Sequence, residues 1–464
     1  MPDLTRIRVK GLLGRFDHDV FFPEGDSFVI LHGPNGVGKT HLLQLTQAVL
    51  SGELWRCQKI RFEVADFNFS DGHRLQVWRH GWKKNERHKL RSASALDRQI
   101  HGRGSVQLML FRGGGLIGRS TGIENEKSEL KSAQIRKLLE VELGLDRVGF
   151  DEWLDPRADR YLTTEEALSR YLPLRPGRLA DILASLYGIP KELSEFLVGL
   201  SVKFVQTQRL LIADDAGVYA ARRRPARTRE STVAEFSRDI ARIISDKLAE
   251  NARISSQLDR TFPKRVLERR DEPKWTTNEL LDQYREQTLL RNRLAEVSLL
   301  DSTTDITLEG TELNATEMRV LETYLDDTAK KLGVLNETLQ KITLLRDIIN
   351  RRFLYKTMRI DASEGFIFET DEGEQISPDQ LSSGEQHELV LLYELLFRTT
   401  FGSLVLIDEP EISLHVGWQR EFLNDLQNIA LLSNARFIVA THSPQIVDKW
   451  RSKAVYLAPD EERN

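Results

Sequence analysis

The sequence predicts an α/β fold assembled from both ends of the chain around a central helical insertion. Three observations point there. A short apolar strand runs into a glycine-rich loop and then a helix within residues 27–50. A second apolar strand, closed by paired acids, lies within residues 403–411. Between them stands a long helical stretch with heptad spacing.

The first observation is the most specific. "SFVILH" is apolar and β-branched, as a buried strand should be, and "HLLQLTQAVL" reads as a helix. "GPNGVGKT" joins them: Gly33, Pro34, Asn35, Gly36, Val37, Gly38, Lys39 and Thr40 match the phosphate-loop pattern G-x-x-x-x-G-K-[ST] without departure. The glycines let backbone amides wrap a phosphate. The pattern assigns Lys39 to the β- and γ-phosphates and Thr40 to Mg²⁺.

Composition bounds the rest. A chain of 464 residues implies more than one domain, or one domain with a large insertion. With 29% charged residues and a net charge of −4, the overall balance does not mark a nucleic-acid binder. No apolar run reaches membrane-spanning length, and "MPDLTRIRVKGLL" lacks a signal-peptide pattern. Cys57 is the only cysteine, which excludes a disulfide framework and a cysteine-rich zinc site. The expectation is a soluble cytoplasmic protein with no membrane partner. Two basic runs, Arg79–Arg91 and Arg222–Arg229, are either contacts for nucleic-acid phosphates or an acidic partner, or solvated loops.

Along the chain, "IRVKGLLGRFDHDVFF", "KIRFEVADFNF", "RLQVWRH" and "SVQLMLFR" read as strands, with a hairpin turn at "SDGH". A helix-rich stretch is expected over about 126–200, followed by the strand-like "SVKFVQTQRLLIA". Val233, Phe236, Ile240, Ile243 and Leu248 then share one helix face, with a break expected at Pro263. Leu321, Leu325, Thr328, Leu332, Leu335, Leu339, Ile342 and Ile349 form a heptad seam with a gap at Arg346. With the helical stretch Leu280–Leu294 it forms either a projecting antiparallel hairpin or an ordinary buried bundle. The expected domains are 1–221 and 358–464, two parts of one nucleotide-binding domain, with a helical arm at 222–357 between them.

Chemistry returns near the far end. In "SLVLIDEPE" a buried strand delivers Asp408 and Glu409 to its carboxyl end, where ligands bind in open α/β sheets. This looks like a Walker B strand: Asp408 would hold the Mg²⁺ shell and Glu409 would take a proton from the attacking water. The next strand, "ARFIVATHSP", places His442 at the same edge, where an imidazole can report a γ-phosphate. "LSSGEQHELVLLYELLF" opens a helix with Ser382 or Ser383 near its N-cap, an anion-binding arrangement.

Phosphate loop, Walker B, a glutamine after a strand, a terminal histidine and "LSSGE" one helix before Walker B together resemble the ATP-binding cassette (ABC-type) ATPases. The resemblance implies ATP and Mg²⁺ as ligands. It implies that Ser382, Ser383 and Gly384 act in trans, capping the nucleotide held by a second copy in a head-to-tail dimer or a higher even-numbered oligomer. It places Gln208, or its neighbour Gln206, near the nucleotide and Mg²⁺. Ser413, Leu414 and His415 would form the loop that crosses the dimer interface. Transporter cassettes differ at the signature and after the Walker B proline, whereas "LSSGEQ", "DEPEISLHVGWQ" and the long insertion look like the SMC-like and OLD-like ATPases. With "FVQTQRLL", "LDRTFPKRVL" and "ATHSPQIV", they resemble the stand-alone ATPases of bacterial antiphage systems, the group containing AriA of PARIS and PtuA of Septu. OLD nucleases continue into a metal-binding Toprim domain. The short stretch after His442 leaves no room for one, so no nuclease activity of the chain itself is expected. The resemblance implies an ATPase that senses phage infection or foreign nucleic acid and controls a separate effector, a nuclease. The alternative is an SMC-like repair ATPase acting on DNA ends.

Overall fold

In the computed structural model the described residues are 2–79, 105–120, 136–148, 152–156, 160–163, 167, 171, 188–206, 231–269, 272–301, 313–412 and 414–457. Gln208, Ser413 and nearly all of both basic runs lie outside them. The chain divides into two compact units, Met1–Arg224 with Thr399–Asn464, and Pro225–Arg398. The second unit takes in residues 358–398, which the sequence reading grouped with the C-terminal motifs. It does so because a small sheet and the helix Ser383–Phe397 there pack on the long helices.

The first unit begins with β1 (Leu4–Leu12) and β2 (Phe16–Phe21), an antiparallel hairpin. Then come β3 (Phe28–His32) and α1 (Lys39–Leu50). Strands β4 (Val64–Phe69), β5 (His73–Arg79), β6 (Val106–Arg112) and β7 (Gly115–Arg119) complete a six-stranded sheet in the order β2-β1-β4-β5-β6-β7. Its strands alternate: Phe16, His18 and Val20 of β2 are buried and the residues between them exposed, as in a sheet packed on one face. Residues 126–200 are not uniformly helical. Their described part holds a small antiparallel sheet of β8 (Asp146–Arg147), β9 (Glu152–Asp155) and β10 (Arg160–Thr163) before α2 (Lys191–Val198). β11 (Val202–Gln206) follows.

The second unit is built on three helices: α3 (Thr232–Glu268), α4 (Thr277–Glu296) and α5 (Ala315–Arg352). Asn251 bonds the Lys331 carbonyl while Arg265 pairs with Asp327, so α3 and α5 run antiparallel. Thr277 meets Met318 and Gln287 bonds the Leu325 carbonyl, so α4 runs parallel to α5. At about 1.5 Å rise per residue, α3 and α5 are each roughly 55 Å long. The seam residues Leu325 to Ile342 and Ile349 are buried, and Leu345 and Ile348 fill the gap around Arg346. On α3 it is Ile244, not Ile243, that is buried.

Pro263 does not end α3, contrary to expectation. Proline deletes one backbone bond, to the Asp259 carbonyl, at a cost of about 3 kcal/mol. Cross-helix contacts on both sides offset it. Lys331 reaches Asp259, Arg265 pairs with buried Asp327, and Arg269 pairs with buried Glu322.

After α5 the second unit adds a three-stranded sheet of β12 (Lys356–Asp361), β13 (Gly365–Thr370) and β14 (Gln375–Ile376), then α6 (Ser383–Phe397). α6 is anchored at its base by the buried Arg352–Glu388 ion pair. Towards its end, Tyr393 stacks on Phe236 and donates to Asp239 at 2.8 Å. The chain then returns to the first unit with β15 (Leu404–Asp408), α7 (Phe422–Ser433), β16 (Arg436–Thr441) and β17 (Ala454–Tyr456). These complete a five-stranded parallel sheet ordered β11-β15-β16-β3-β17, drawn from both ends of the chain. Leu404–Ile407, Phe28–Leu31 and Phe437–Thr441 are all buried, the unbroken apolar runs of a sheet covered on both faces. This is the α/β fold class read from the sequence, a phosphate-loop domain assembled from both ends of the chain with a long helical insertion between them.

Candidate functional site

Register brings the site together. Gln206 pairs with Asp408, Asp408 with Ala440, and Thr441 with His32. The carboxyl ends of four adjacent strands therefore share one edge, and the phosphate loop leaves β3 at that edge.

The loop needs its glycines at two points. A Cβ on Gly33 would lie 2.4 Å from the Leu457 carbonyl oxygen, a clash no side chain can relieve. Gly38 has φ +90° at the N-cap of α1, a left-handed conformation that L-residues rarely adopt. A glycine-rich loop running into a helix N-terminus is the arrangement of an anion nest. Pro34, Asn35 and Gly36 are exposed, so the outer rim of the loop is open. Val37 is buried, and its carbonyl meets Nε2 of buried His18 at 2.7 Å. His18 is a support of the loop that the sequence reading missed.

Lys39 is buried. Its Nζ donates to the carbonyls of Gly33 (2.8 Å) and Pro34 (3.1 Å) and to Nδ1 of His442 (3.2 Å). Desolvation lowers its pKa, opposed by the carboxylates of Glu409, Asp408 and Glu411. A lysine held this way is a cation waiting for an anion. Because the ammonium can only donate, Nδ1 of His442 accepts and the ring proton lies on Nε2. Nε2 stands 3.4 Å from Oε1 of Glu409. The three side chains form a chain Lys39–His442–Glu409 at the loop mouth.

Glu409 sits at φ +48°, an uncommon conformation for a residue with a side chain. Such backbone costs on the order of 1–3 kcal/mol. It persists because the Glu409 amide donates to Ala440 at 2.8 Å and its carbonyl accepts from Ile412 at 3.2 Å. The reversal brings the carboxylate within reach of the histidine.

Thr40 Oγ1 donates to Oδ1 of Asp408 at 3.2 Å. Burial pushes the Asp408 carboxyl up to about 6, with Glu409 and Glu411 adding to the rise and Thr40 and Lys39 opposing it. A hydroxyl and a partly desolvated carboxylate side by side are hard oxygen donors suited to Mg²⁺. The donor set fits that ion, which would relieve the cost of the buried charge. Among the described residues no cluster of three or more His, Cys, Asp or Glu could hold a metal by itself.

Lys39, Thr40, Asp408, Glu409 and His442 are thus brought together. Gln208 lies outside the described residues, and of its alternative Gln206 only the backbone at the end of β11 is described. Ser382, Ser383 and Gly384 belong to the other unit. There Ser382 caps α6 in a full capping box. Its amide and hydroxyl both donate to Glu385 at 2.8 Å, and the Glu385 amide returns to Ser382 Oγ at 3.4 Å. Burial disfavours the Glu385 carboxylate, but hydrogen bonds from Lys356 and Ser382 outweigh it and lower its pKa. Ser382 and Ser383 are exposed at this helix start.

The sequence reading also missed Glu411. Its Oε1 accepts from the His442 amide at 2.6 Å and its Oε2 from the Thr441 hydroxyl at 2.8 Å. The only sequence signal is the third acid of "DEPE", two residues after Glu409.

Comparison with known proteins adds family and relatives. A family model described as "AAA domain, putative AbiEii toxin, Type IV TA system" matches residues 120–448. The chain is 34% identical over 89 residues to "Retron Ec83 probable ATPase" of Escherichia coli, covering 17% of this chain and 16% of that protein. It is 24% identical over 161 residues to "Retron Vc95 probable ATPase" of Vibrio cholerae serotype O1 biovar El Tor, covering 28% and 31%. The matches span less than a third of either relative. Among solved structures, the Smc head domain of Pyrococcus furiosus bound to the C-terminal domain of ScpA aligns with 13% identity and a TM-score of 0.32, over 99% of this chain and 94% of that one. The SMC head domain of Thermotoga maritima aligns with 10% identity and a TM-score of 0.31, over 96% and 91%. No helix among the described residues is long and apolar enough to cross a membrane.

Proposed function

This chain belongs to the family described as "AAA domain, putative AbiEii toxin, Type IV TA system", and from that premise we propose that it binds ATP at the Gly33–Thr40 loop and hydrolyses it to ADP and phosphate. The observation that carries the proposal is Lys39. It is buried, held by loop carbonyls, and joined through His442 to Glu409 beside the Thr40–Asp408 pair.

Thr40 and Asp408 are the residues that would hold Mg²⁺, with Gln208 as a further ligand; when bound, the ion neutralises phosphate charge. The loop amides and Lys39 bind the β- and γ-phosphates. When a γ-phosphate arrives, Lys39 and Nε2–H of His442 turn toward its oxygens, which releases Glu409. Glu409 then accepts a proton from the attacking water. Most of the catalysis is positioning and charge stabilisation, as phosphoryl transfer requires.

Ser382, Ser383 and Gly384 complete the site in trans. With the Ser382 hydroxyl committed to its own capping box, the free Ser383 and Gly384 amides offer donors to a γ-phosphate of a second copy. The active species is then a head-to-tail dimer or a higher even-numbered oligomer. We assign the ATPase to a bacterial defence role, as in the group of AriA and PtuA: a sensor triggered by nucleic acid or a phage protein that controls a separate nuclease. The family's description as a toxin–antitoxin component and the retron ATPase relatives support this.

Phosphate release by purified full-length protein tests the ATPase. Turnover should require Mg²⁺ and fall in Glu409→Gln while nucleotide binding is retained. Wild-type turnover in Glu409→Gln would overturn the assignment of the base, and a wild type that neither binds nor hydrolyses ATP would overturn the proposal.

A further inference from the structure

The loop after β15 and the loop after β16 are joined by a closed ring of hydrogen bonds. Oε1 of Glu411 accepts from the His442 main-chain amide at 2.6 Å, and Oε2 from Thr441 Oγ1 at 2.8 Å. Thr441 Oγ1 in turn accepts from the Ser443 amide at 2.9 Å. Ser443 Oγ donates to Gln419 Oε1 at 2.6 Å. Gln419 Nε2 closes the ring on the carbonyls of Leu414 (3.1 Å) and Glu411 (3.4 Å). Thr441, Ser443 and Gln419 are buried, so each broken bond would leave a polar atom without water.

Glu409 and Glu411 are neighbours with opposite situations. Glu409 faces the imidazole at the loop mouth. Both oxygens of Glu411 are instead occupied by groups of the chain, which leaves it unsuited to take a proton from water. A carboxylate accepting a main-chain amide at 2.6 Å is a strong, charge-assisted tie. It fixes the backbone of the residue that bridges Lys39 and Glu409.

We propose that Glu411 is a positioning residue for the ATPase reaction. Through Thr441, Ser443 and Gln419 it makes the turn carrying Glu409 and the loop carrying His442 move as one body. The inference rests on the ATPase reading above and adds the device that holds its histidine. A consequence is that displacement of His442 by a γ-phosphate is passed to Leu414 and His415, because Gln419 binds that loop in the same ring.

The test compares Glu411→Ala, Glu411→Gln, His442→Ala and the double variant Glu411→Ala/His442→Ala as full-length proteins. Glutamine keeps an oxygen for the His442 amide, and its NH₂ can donate to Thr441, whose hydroxyl reorients. Glu411→Ala should lower kcat by about 10²-fold, the scale of a misplaced catalytic group, with ADP affinity within about threefold. Glu411→Gln should recover most of that loss. The double variant should be no slower than His442→Ala, since contacting residues that act as a unit are non-additive. Independently of turnover, amide hydrogen exchange over residues 440–446 should speed in Glu411→Ala and not in Glu411→Gln.

Unchanged exchange in Glu411→Ala would overturn the inference, as would losses that multiply in the double variant. A loss in Glu411→Gln as deep as in Glu411→Ala would show a role for charge and overturn it too. Failure of the ATPase reading is a different result, absence of wild-type turnover, and it would remove the catalytic role while the exchange measurement still decides the tie.

Discussion

Asp408 offers a prediction whose sign runs against intuition: removing this acid should stabilise the nucleotide-free protein. Burial raises its pKa from 3.8 to about 6. Between those values the folded state binds more protons than the unfolded one, so stability falls as pH rises through the window and the full penalty stands above it. A rise of about 2 pKa units corresponds to roughly 3 kcal/mol at about 1.4 kcal/mol per unit. Asp408→Asn removes the charge and keeps an oxygen for the Thr40 hydroxyl. It also takes one favourable partner from Lys39, so the net gain should be about 1–3 kcal/mol. For a unit of this size that is a Tm increase of a few degrees, at about 2–4 °C per kcal/mol. The assay is a thermal melt without nucleotide or Mg²⁺ at pH 8 and pH 5. The variant should gain at pH 8, and the gain should shrink at pH 5, where folded Asp408 is already protonated. Mg²⁺ should stabilise the wild type more than the variant. A variant that melts lower at pH 8, or a difference independent of pH, would refute the reasoning.

Lys39→Ala should lose ATP binding, because Lys39 is the ammonium held by the loop carbonyls; titration calorimetry showing wild-type affinity would remove Lys39 from the site. Glu409→Gln should bind ATP and hydrolyse it about 10²- to 10⁴-fold more slowly; turnover within twofold of wild type would mean another residue takes the proton. Ser382→Arg should leave ATP binding intact and abolish turnover. Mixed with Lys39→Ala protein it should recover part of the activity, since one of the two composite sites is whole, and normal turnover of Ser382→Arg alone would exclude the helix start from the reaction. Pro263→Ala should stabilise the second unit by up to about 3 kcal/mol by restoring the bond to the Asp259 carbonyl; a lowered melting transition would show that the proline, not its neighbours, shapes α3.

What was legible in the sequence followed chemistry that local pattern encodes. The glycine spacing of the Gly33–Thr40 loop marks a phosphate loop, and the apolar run ending at Asp408 marks a buried strand. That β3, β15 and β16 share one sheet followed from their motifs and was confirmed by their register. Features set by distant partners were not legible. Pro263 announces a break, and only Asp327 and Glu322, on another helix, show why α3 continues. The small sheet at 146–163 consists of strands too short to leave a periodic signal. Glu411 looked like one more acid in an acidic turn. Its role depends on where β16 ends, which register determines and spacing does not. Glu409 was readable as an acid at a strand end, but its left-handed backbone was not, because nothing in the sequence marks a non-glycine residue for φ +48°.

On the proposed reading, the start of α6 serves two purposes, a helix cap and an anion site for a second copy. Its Ser382 hydroxyl is engaged within the chain, in a capping box with Glu385. Such a cap contributes about 0.5–2 kcal/mol and ties down the first turn before any anion arrives. Glu385 is in turn held by Lys356 on β12 at 2.8 Å. The cap therefore depends on the sheet that follows α5, and Arg352 at the end of α5 pairs with Glu388 one turn further along. A helix start intended only to stay folded would need the serine alone. Here two ion pairs from one side also fix the direction of its axis, and with it the direction of the free Ser383 and Gly384 amides. An anion-binding helix start gains affinity when its donors are preorganised, because less ordering remains to be done on binding. Lys356→Ala should accordingly leave α6 folded, as Arg352–Glu388 and Tyr393–Asp239 remain. It should weaken turnover by loosening the first turn, and it should do so without altering ATP binding at the Gly33–Thr40 loop. Equal losses in ATP binding and turnover would instead tie Lys356 to the overall fold and separate it from the signature.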